Sequence, residues 1–178
     1  MERKVEGITL ELARGDIARQ EGFDAVVNAA NARLAPGGGV AGALHRAAGP
    51  GLAEECRPLA PIERGEAVIT GAHQLPNRWV IHCLGPVFGE DEPADELLAD
   101  CYRNALELAE ENGVGSIAFP SLSTGAFGYP MREAARIAMG VVVASAGGLE
   151  SVRRIRFVLW GEDALEAHRD ALREVLAE

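Results

Sequence analysis

Short runs of consecutive apolar residues alternate along this chain with longer stretches in which apolar positions recur every three or four residues. Ile8–Leu12, Ala25–Asn28, Glu66–Thr70, Trp79–Cys83, Ser116–Pro120 and Ile155–Trp160 are the short runs. Several are apolar on successive residues, which predicts strands in a sheet covered on both faces. Asp95–Asn112 places Leu97, Leu98, Cys101, Tyr102, Ala105, Leu108 and Ala109 at helical spacing, with Glu and Arg opposite and Gly113 as a C-terminal stop. Gly38–Ala48, Met131–Ala146 and Asp163–Leu176 read as helices in the same way. The alternation predicts an α/β fold, a three-layer αβα sandwich around a mixed, mostly parallel sheet of about six strands. At 178 residues and 48% hydrophobic content, the chain fits a single domain over residues 1–178, with little left for a second core. The acidic segment Gly89–Pro93 reads as a solvated connection.

Charge narrows the partners. The formal net charge is −10, and no basic run exceeds Arg153-Arg154. Sequence-independent binding to a nucleic-acid backbone needs clustered cations, so nucleic acid is not an expected partner. Cys56, Cys83 and Cys101 are scattered, without a Cys-x-x-Cys pair, and read as buried free thiols. His82 and Cys83 would point to opposite faces of one strand, and Cys56 and His45 lack ligand-like spacing, so no metal is expected. With neither a basic-then-apolar leader nor a spanning apolar run, the expectation is a cytoplasmic protein without a membrane partner. A monomer is expected.

One segment carries chemistry. From Asn28 the chain reads Asn-Ala-Ala-Asn-Ala-Arg-Leu-Ala-Pro-Gly-Gly-Gly-Val-Ala-Gly-Ala-Leu, an apolar strand running through three glycines into a helical pattern. Glycine admits positive φ and close approach of a ligand to the backbone, and the first amides of a helix lack intrahelical partners. No Lys or Arg lies between Leu34 and Leu44, so an anion there would be held by backbone dipoles. A second glycine-containing loop, Phe119–Pro130, also follows a predicted strand. Ligands of open α/β sheets sit beyond the carboxyl ends of the strands, which brings the two loops to one edge. The amides of Ser123, Gly125, Ala126 and Phe127 would then wrap one phosphate and those of Gly39 and Val40 the other. A nicotinamide-dependent oxidoreductase would need Gly-x-Gly-x-x-Gly, and a Walker-type nucleotidase Gly-Lys-Ser or Gly-Lys-Thr; neither fits.

Both segments, in this order, resemble the signature of the macrodomain family, and the resemblance runs from Gly15-Asp16-Ile17 to Trp160. It implies binding of ADP-ribose or an ADP-ribosylated protein, with no cofactor beyond that ligand. It implies for Asp16 a hydrogen bond from the adenine amino group, completed by the backbone of Ile17; on its own, Asp16 reads as a helix N-cap. Trp160 resembles an adenine-stacking ring, although a ring at a strand end is commonly core, and Gly161 stands where relatives often have aspartate. Asn31 matches the distal-ribose residue, and its amide suits vicinal hydroxyls; Asn28 would pin the loop backbone. Gly38, Gly39, Val40, Ser123, Thr124, Gly125 and Ala126 match the phosphate loops. Phe127 resembles the aromatic that covers the distal ribose and orients water, or closes a core.

The resemblance further implies a hydrolase of mono-ADP-ribosyl esters on acidic side chains or an O-acetyl-ADP-ribose deacetylase, with Asn31 and Phe127 as the catalytic candidates. The alternative is a non-catalytic reader of ADP-ribose. Ala41 separates them. MacroD-type hydrolases carry an aspartate after Gly-Gly-Gly-Val, and alanine accepts no proton. Gly-Gly-Gly-Val-Ala-Gly is also similar to the coronavirus-type loop, which works without that aspartate, although Pro36 stands where those relatives have histidine. Catalysis would then rest on water polarised by the ligand diphosphate and aligned by Phe127. His45, beside Arg46 on a helix, reads as a surface or capping residue rather than a base.

Overall fold

The computed structural model describes residues 1–178. Seven strands form one sheet in the order β1 (Glu2–Val5), β2 (Ile8–Arg14), β7 (Arg154–Leu159), β6 (Ser116–Phe119), β3 (Ala25–Ala29), β5 (Trp79–Cys83) and β4 (Ala67–Gly71). The five central strands are mutually parallel, and β1 and β4 pair antiparallel at the edges. On one face lie α1 (Gly39–Ala48) and α2 (Pro50–Cys56); on the other lie α3 (Ala94–Glu111), α4 (Met131–Ala146) and α5 (Glu162–Leu176). This is the expected three-layer sandwich, with seven strands rather than about six.

The extra strand is β1. Its Glu2-Arg3-Lys4 is polar because an edge strand is paired on one side only, so it has no apolar period to read. The short helix α2 also escaped the sequence reading; it opens on Pro50 after Gly49, whose φ is +81°. Strand ends moved by a residue: Pro120 and Trp160 lie just beyond β6 and β7, and β4 begins at Ala67. No helix is long and apolar enough to cross a membrane.

Strand residues divide between two cores by the period of two. Ile8, Leu10, Leu12, Ala25, Val27, Ile81, Ile117, Phe119, Ile155 and Phe157 join α3, α4 and α5 in a cluster of 38 buried residues. Val26, Val80, Ala118 and Val158 join α1 and α2 in a cluster of 17. The sequence order around β3 decides where a ligand can enter. After β3 the chain proceeds to β4 and β5 on one side, then returns to β6 and β7 on the other. The loops leaving β3 and β6 therefore diverge at the carboxyl edge and open a crevice between them.

Candidate functional site

That crevice is a cavity of about 430 Å³ lined by 16 residues, drawn from 29–41, Cys83, Gly85 and 121–127. The volume falls in the range typical of small-molecule sites, about 300–1,000 Å³. No lysine, arginine, aspartate, glutamate or histidine lines it. Its polarity comes from backbone. In the second loop the amides of Ser123, Thr124, Gly125, Ala126 and Phe127 make no hydrogen bond to any protein acceptor, and the same holds for Gly37 through Ala41. Two runs of free N–H donors thus flank one cavity, one of them at the N-terminus of α1. Such an array suits a diphosphate: the helix end and the nests are preset positive dipoles.

Local chain geometry creates both runs. Gly39 sits at φ +56° and Ser123 at +64°, left-handed positions that turn successive amides toward one side. Gly42, one turn into α1, completes the first cradle: a Cβ there would lie 2.2 Å from the Gly37 carbonyl oxygen. Gly85 does the same for the second, since its Cβ would lie 2.1 Å from Ser123 Oγ. The Ser123 hydroxyl is buried and has no hydrogen-bond partner. Tyr102 on α3 anchors the second loop by accepting the Leu122 amide at 3.1 Å, and burial raises its phenol pKa, keeping it neutral.

Asn31, Gly38, Gly39, Val40, Ser123, Gly125, Ala126 and Phe127 all line the cavity. Asp16, Ile17, Thr124 and Trp160 do not. Thr124 turns back, its hydroxyl 2.9 Å from Ser121 Oγ and 3.2 Å from the Ser121 carbonyl, so its side chain braces the loop. Asp16 is the N-cap foreseen from its position: Oδ1 accepts the Ala18 amide at 2.9 Å. Ile17 is buried in the smaller core. Trp160 is 87% exposed beside Arg14 and Gly15, at the same strand edge. A ring left so open is no core residue, which removes the core reading of this position.

The loop-pinning role inferred for Asn28 falls to Asn31. Asn28, expected to pin the loop backbone, instead contacts His82 Nδ1 at 3.1 Å from β3 to β5. Asn31 does the pinning, donating to the Ala35 carbonyl at 2.9 Å and accepting the Ala35 amide at 3.0 Å. One N–H and one lone pair of its amide remain for a ligand. His45 is not a surface residue: it is buried, neither ring nitrogen has a partner, and burial lowers its pKa. It does not line the cavity. Nearby, His82 lies 2.9 Å from Thr70 Oγ1 and 3.7 Å from Cys56 Sγ. Burial, with a smaller effect of His45, pushes its pKa down to about 3. The three cysteines are buried and unpaired, and burial raises their pKa values. Gly42, Gly85 and Tyr102 were missed in the sequence; only Gly42, within the glycine-rich segment, carried a local signal.

Comparison with known proteins places this geometry. A profile of the Macro domain family matches residues 27–138. A Macro domain-containing protein of Methanosarcina mazei is 44% identical over 98% of this chain and 97% of its own length. A Klebsiella pneumoniae protein named O-acetyl-ADP-ribose deacetylase is 45% identical over 91% of this chain and 95% of its own. Among solved structures, the Oceanobacillus iheyensis macrodomain with ADP superposes with TM-score 0.95 at 38% identity, covering 99% of this chain and 96% of that one. The Trypanosoma brucei macrodomain in complex with ADP-ribose gives TM-score 0.85 at 40% identity, over 92% of this chain and 68% of that one. Matching sequence across nearly the full length, together with the same fold, shows that this chain belongs to the Macro domain family.

Proposed function

We propose that this chain binds ADP-ribose and hydrolyses mono-ADP-ribosyl esters on protein acidic residues or O-acetyl-ADP-ribose. The observation that carries the reading is the pair of unpartnered amide runs, Gly37–Ala41 and Ser123–Phe127, facing one uncharged cavity. The diphosphate would lie between them. Asn31 and Phe127 would contact the distal ribose inside the cavity. Trp160 would offer its exposed face to adenine, with Asp16 Oδ2 free of the N-cap bond to accept from the adenine amino group and Ile17 contributing its backbone. Homologues that bind ADP-ribose or ADP and a relative named for deacetylation of O-acetyl-ADP-ribose support this assignment.

On a mono-ADP-ribosyl ester the reaction would be dissociative cleavage at the ribosyl C1″: the C1″–O bond breaks, the side-chain carboxylate leaves, and water adds at C1″ as its proton passes to a diphosphate oxygen. No carboxylate or imidazole lines the cavity, so water would be polarised by the ligand diphosphate and aligned by Phe127. Rate would come from positioning and from fixed amide donors. The same lack of a titratable side chain, with Ala41 on the cavity wall, favours the second reading, a reader that binds without cleaving. In this respect the loop is closer to the coronavirus-type than to the MacroD-type pattern. Protein partners would be ADP-ribosylated proteins; we place the chain in the cytoplasm as a monomer.

Release of free ADP-ribose from a protein mono-ADP-ribosylated on glutamate separates the readings. Turnover by the unmodified chain, abolished in Asn31→Ala, is the expected result for the hydrolase. Turnover appearing only in Ala41→Asp would make the natural chain a reader.

A further inference from the structure

The cavity wall opposite the α1 cradle depends on a side chain outside the cavity. Arg64 lies in the turn before β4, and its guanidinium reaches three targets. Nη1 donates to the Gly85 carbonyl at 3.1 Å, Nε pairs with Asp91 Oδ2 at 3.1 Å, and Cζ lies 5.1 Å from the centre of the Phe127 ring. The same Asp91 oxygen accepts the Val87 amide at 2.8 Å, and the Phe88 amide donates to the Phe127 carbonyl at 2.8 Å. Gly85 and Phe127 line the cavity; Arg64 and Asp91 do not.

We propose that Arg64 is a positioning residue that holds Phe127 and Gly85 in place at the distal-ribose end of the cavity, an inference that rests on the ADP-ribose reading above. A planar guanidinium can meet an aromatic face and still direct N–H groups sideways to a carbonyl and a carboxylate, which an ammonium does not reproduce. The Arg64 and Asp91 side chains are 33% and 28% exposed, so the pair is less screened than a fully solvated rim contact. Two chain segments far apart in sequence, 85–91 and the loop of Phe127, are thereby held by one group, and the rotation of Phe127 is restricted from outside the cavity.

The test compares ADP-ribose with ADP, which lacks the distal ribose, by calorimetric titration of the unmodified chain, Arg64→Ala and Arg64→Lys. Arg64→Ala is expected to weaken ADP-ribose about fivefold and to leave ADP unchanged. Arg64→Lys, which keeps the charge facing Asp91 without the planar fork, should recover only part of that loss. Equal loss for both ligands would make Arg64 a general brace of the loops and overturn the inference, as would unchanged affinity for both. An unmodified chain that binds ADP but not ADP-ribose, or neither, defeats instead the functional reading and this inference with it. If Arg64→Ala does not fold, Arg64→Gln and Arg64→Lys carry the same two-ligand comparison.

Discussion

Across the sheet from the cradle, α3, α4 and α5 close over 38 buried residues in which Phe119 and Phe157 stack at 5.3 Å and Tyr102 packs on both. The cradle face has less than half as many, and buried polar groups are interleaved with them: Asn28, His45, Thr70 and His82 are buried, with His82 against Asn28, Thr70 and Cys56. Where β2 and β7 extend past α1, that face is covered by charge, with Arg154 and Arg156 paired to Glu11 and both guanidiniums 4.5 Å from the Phe23 ring. The difference separates two tasks. One face supplies burial, at about 25 cal/mol per Å² of apolar area; the other holds glycine-rich backbone in conformations that burial alone would not select.

Substitutions on the two faces should therefore fail in different ways. The largest effect is expected from Phe157→Ala, which opens a cavity in the aromatic stack and should lower unfolding free energy by about 3–5 kcal/mol. Urea denaturation reads the loss, while the protein that remains folded should bind ADP-ribose as before; a parallel fall in affinity would join the two faces into one functional unit. Gly42→Ala is the converse. The added methyl collides with the Gly37 carbonyl, displacing the amides of the cradle, and ADP-ribose affinity should fall about a hundredfold, as for two lost hydrogen bonds to a charged group. Its melting temperature should move far less than that of Phe157→Ala. Normal affinity would show that the helix N-terminus does not hold the phosphates.

Acid should expose the polar side of the comparison with a smaller slope. Folded His82 stays neutral down to about 3, whereas the unfolded chain takes up that proton near 6.5. Below 6.5 the unfolded state therefore binds more protons, and stability falls as pH drops toward 3, by at most about 1.4 kcal/mol per pH unit for this residue. Burial depresses His45 and His168 in the same direction. Above neutrality these histidines contribute no slope. Denaturation at pH 7.0 and 5.5 should show the fall, and His82→Leu should reduce it, leaving the share of His45 and His168; a stability equal at the two pH values in the unmodified chain would contradict the buried, neutral histidine.

Elements with a repeated local pattern were legible from sequence: the apolar runs of the central strands, the helical spacing of 95–112, and both glycine-containing loops. Strand β1 was hidden by its charges and α2 by its shortness. Eight cavity residues could be named in advance because they belong to the two loops that leave β3 and β6 at the carboxyl edge of the sheet and match the family motifs there. Trp160 and Asp16 followed by the same logic to that edge but outside the cavity.

The sequence by itself determined the layer architecture, the parallel centre of the sheet and the two glycine-containing loops, since each follows from periodicity or from glycine's freedom within a short window. Only the tertiary structure decided which asparagine pins the loop, that His45 is buried, that Gly85 must admit Ser123, and that Arg64 reaches Phe127. The Asn31 bond is local, four residues along one loop, but Asn28, Gly85 and Arg64 meet partners 38 to 63 positions away that the fold brings together. The chemistry of a side chain is written in its own residue; its role is set by what the sheet places beside it.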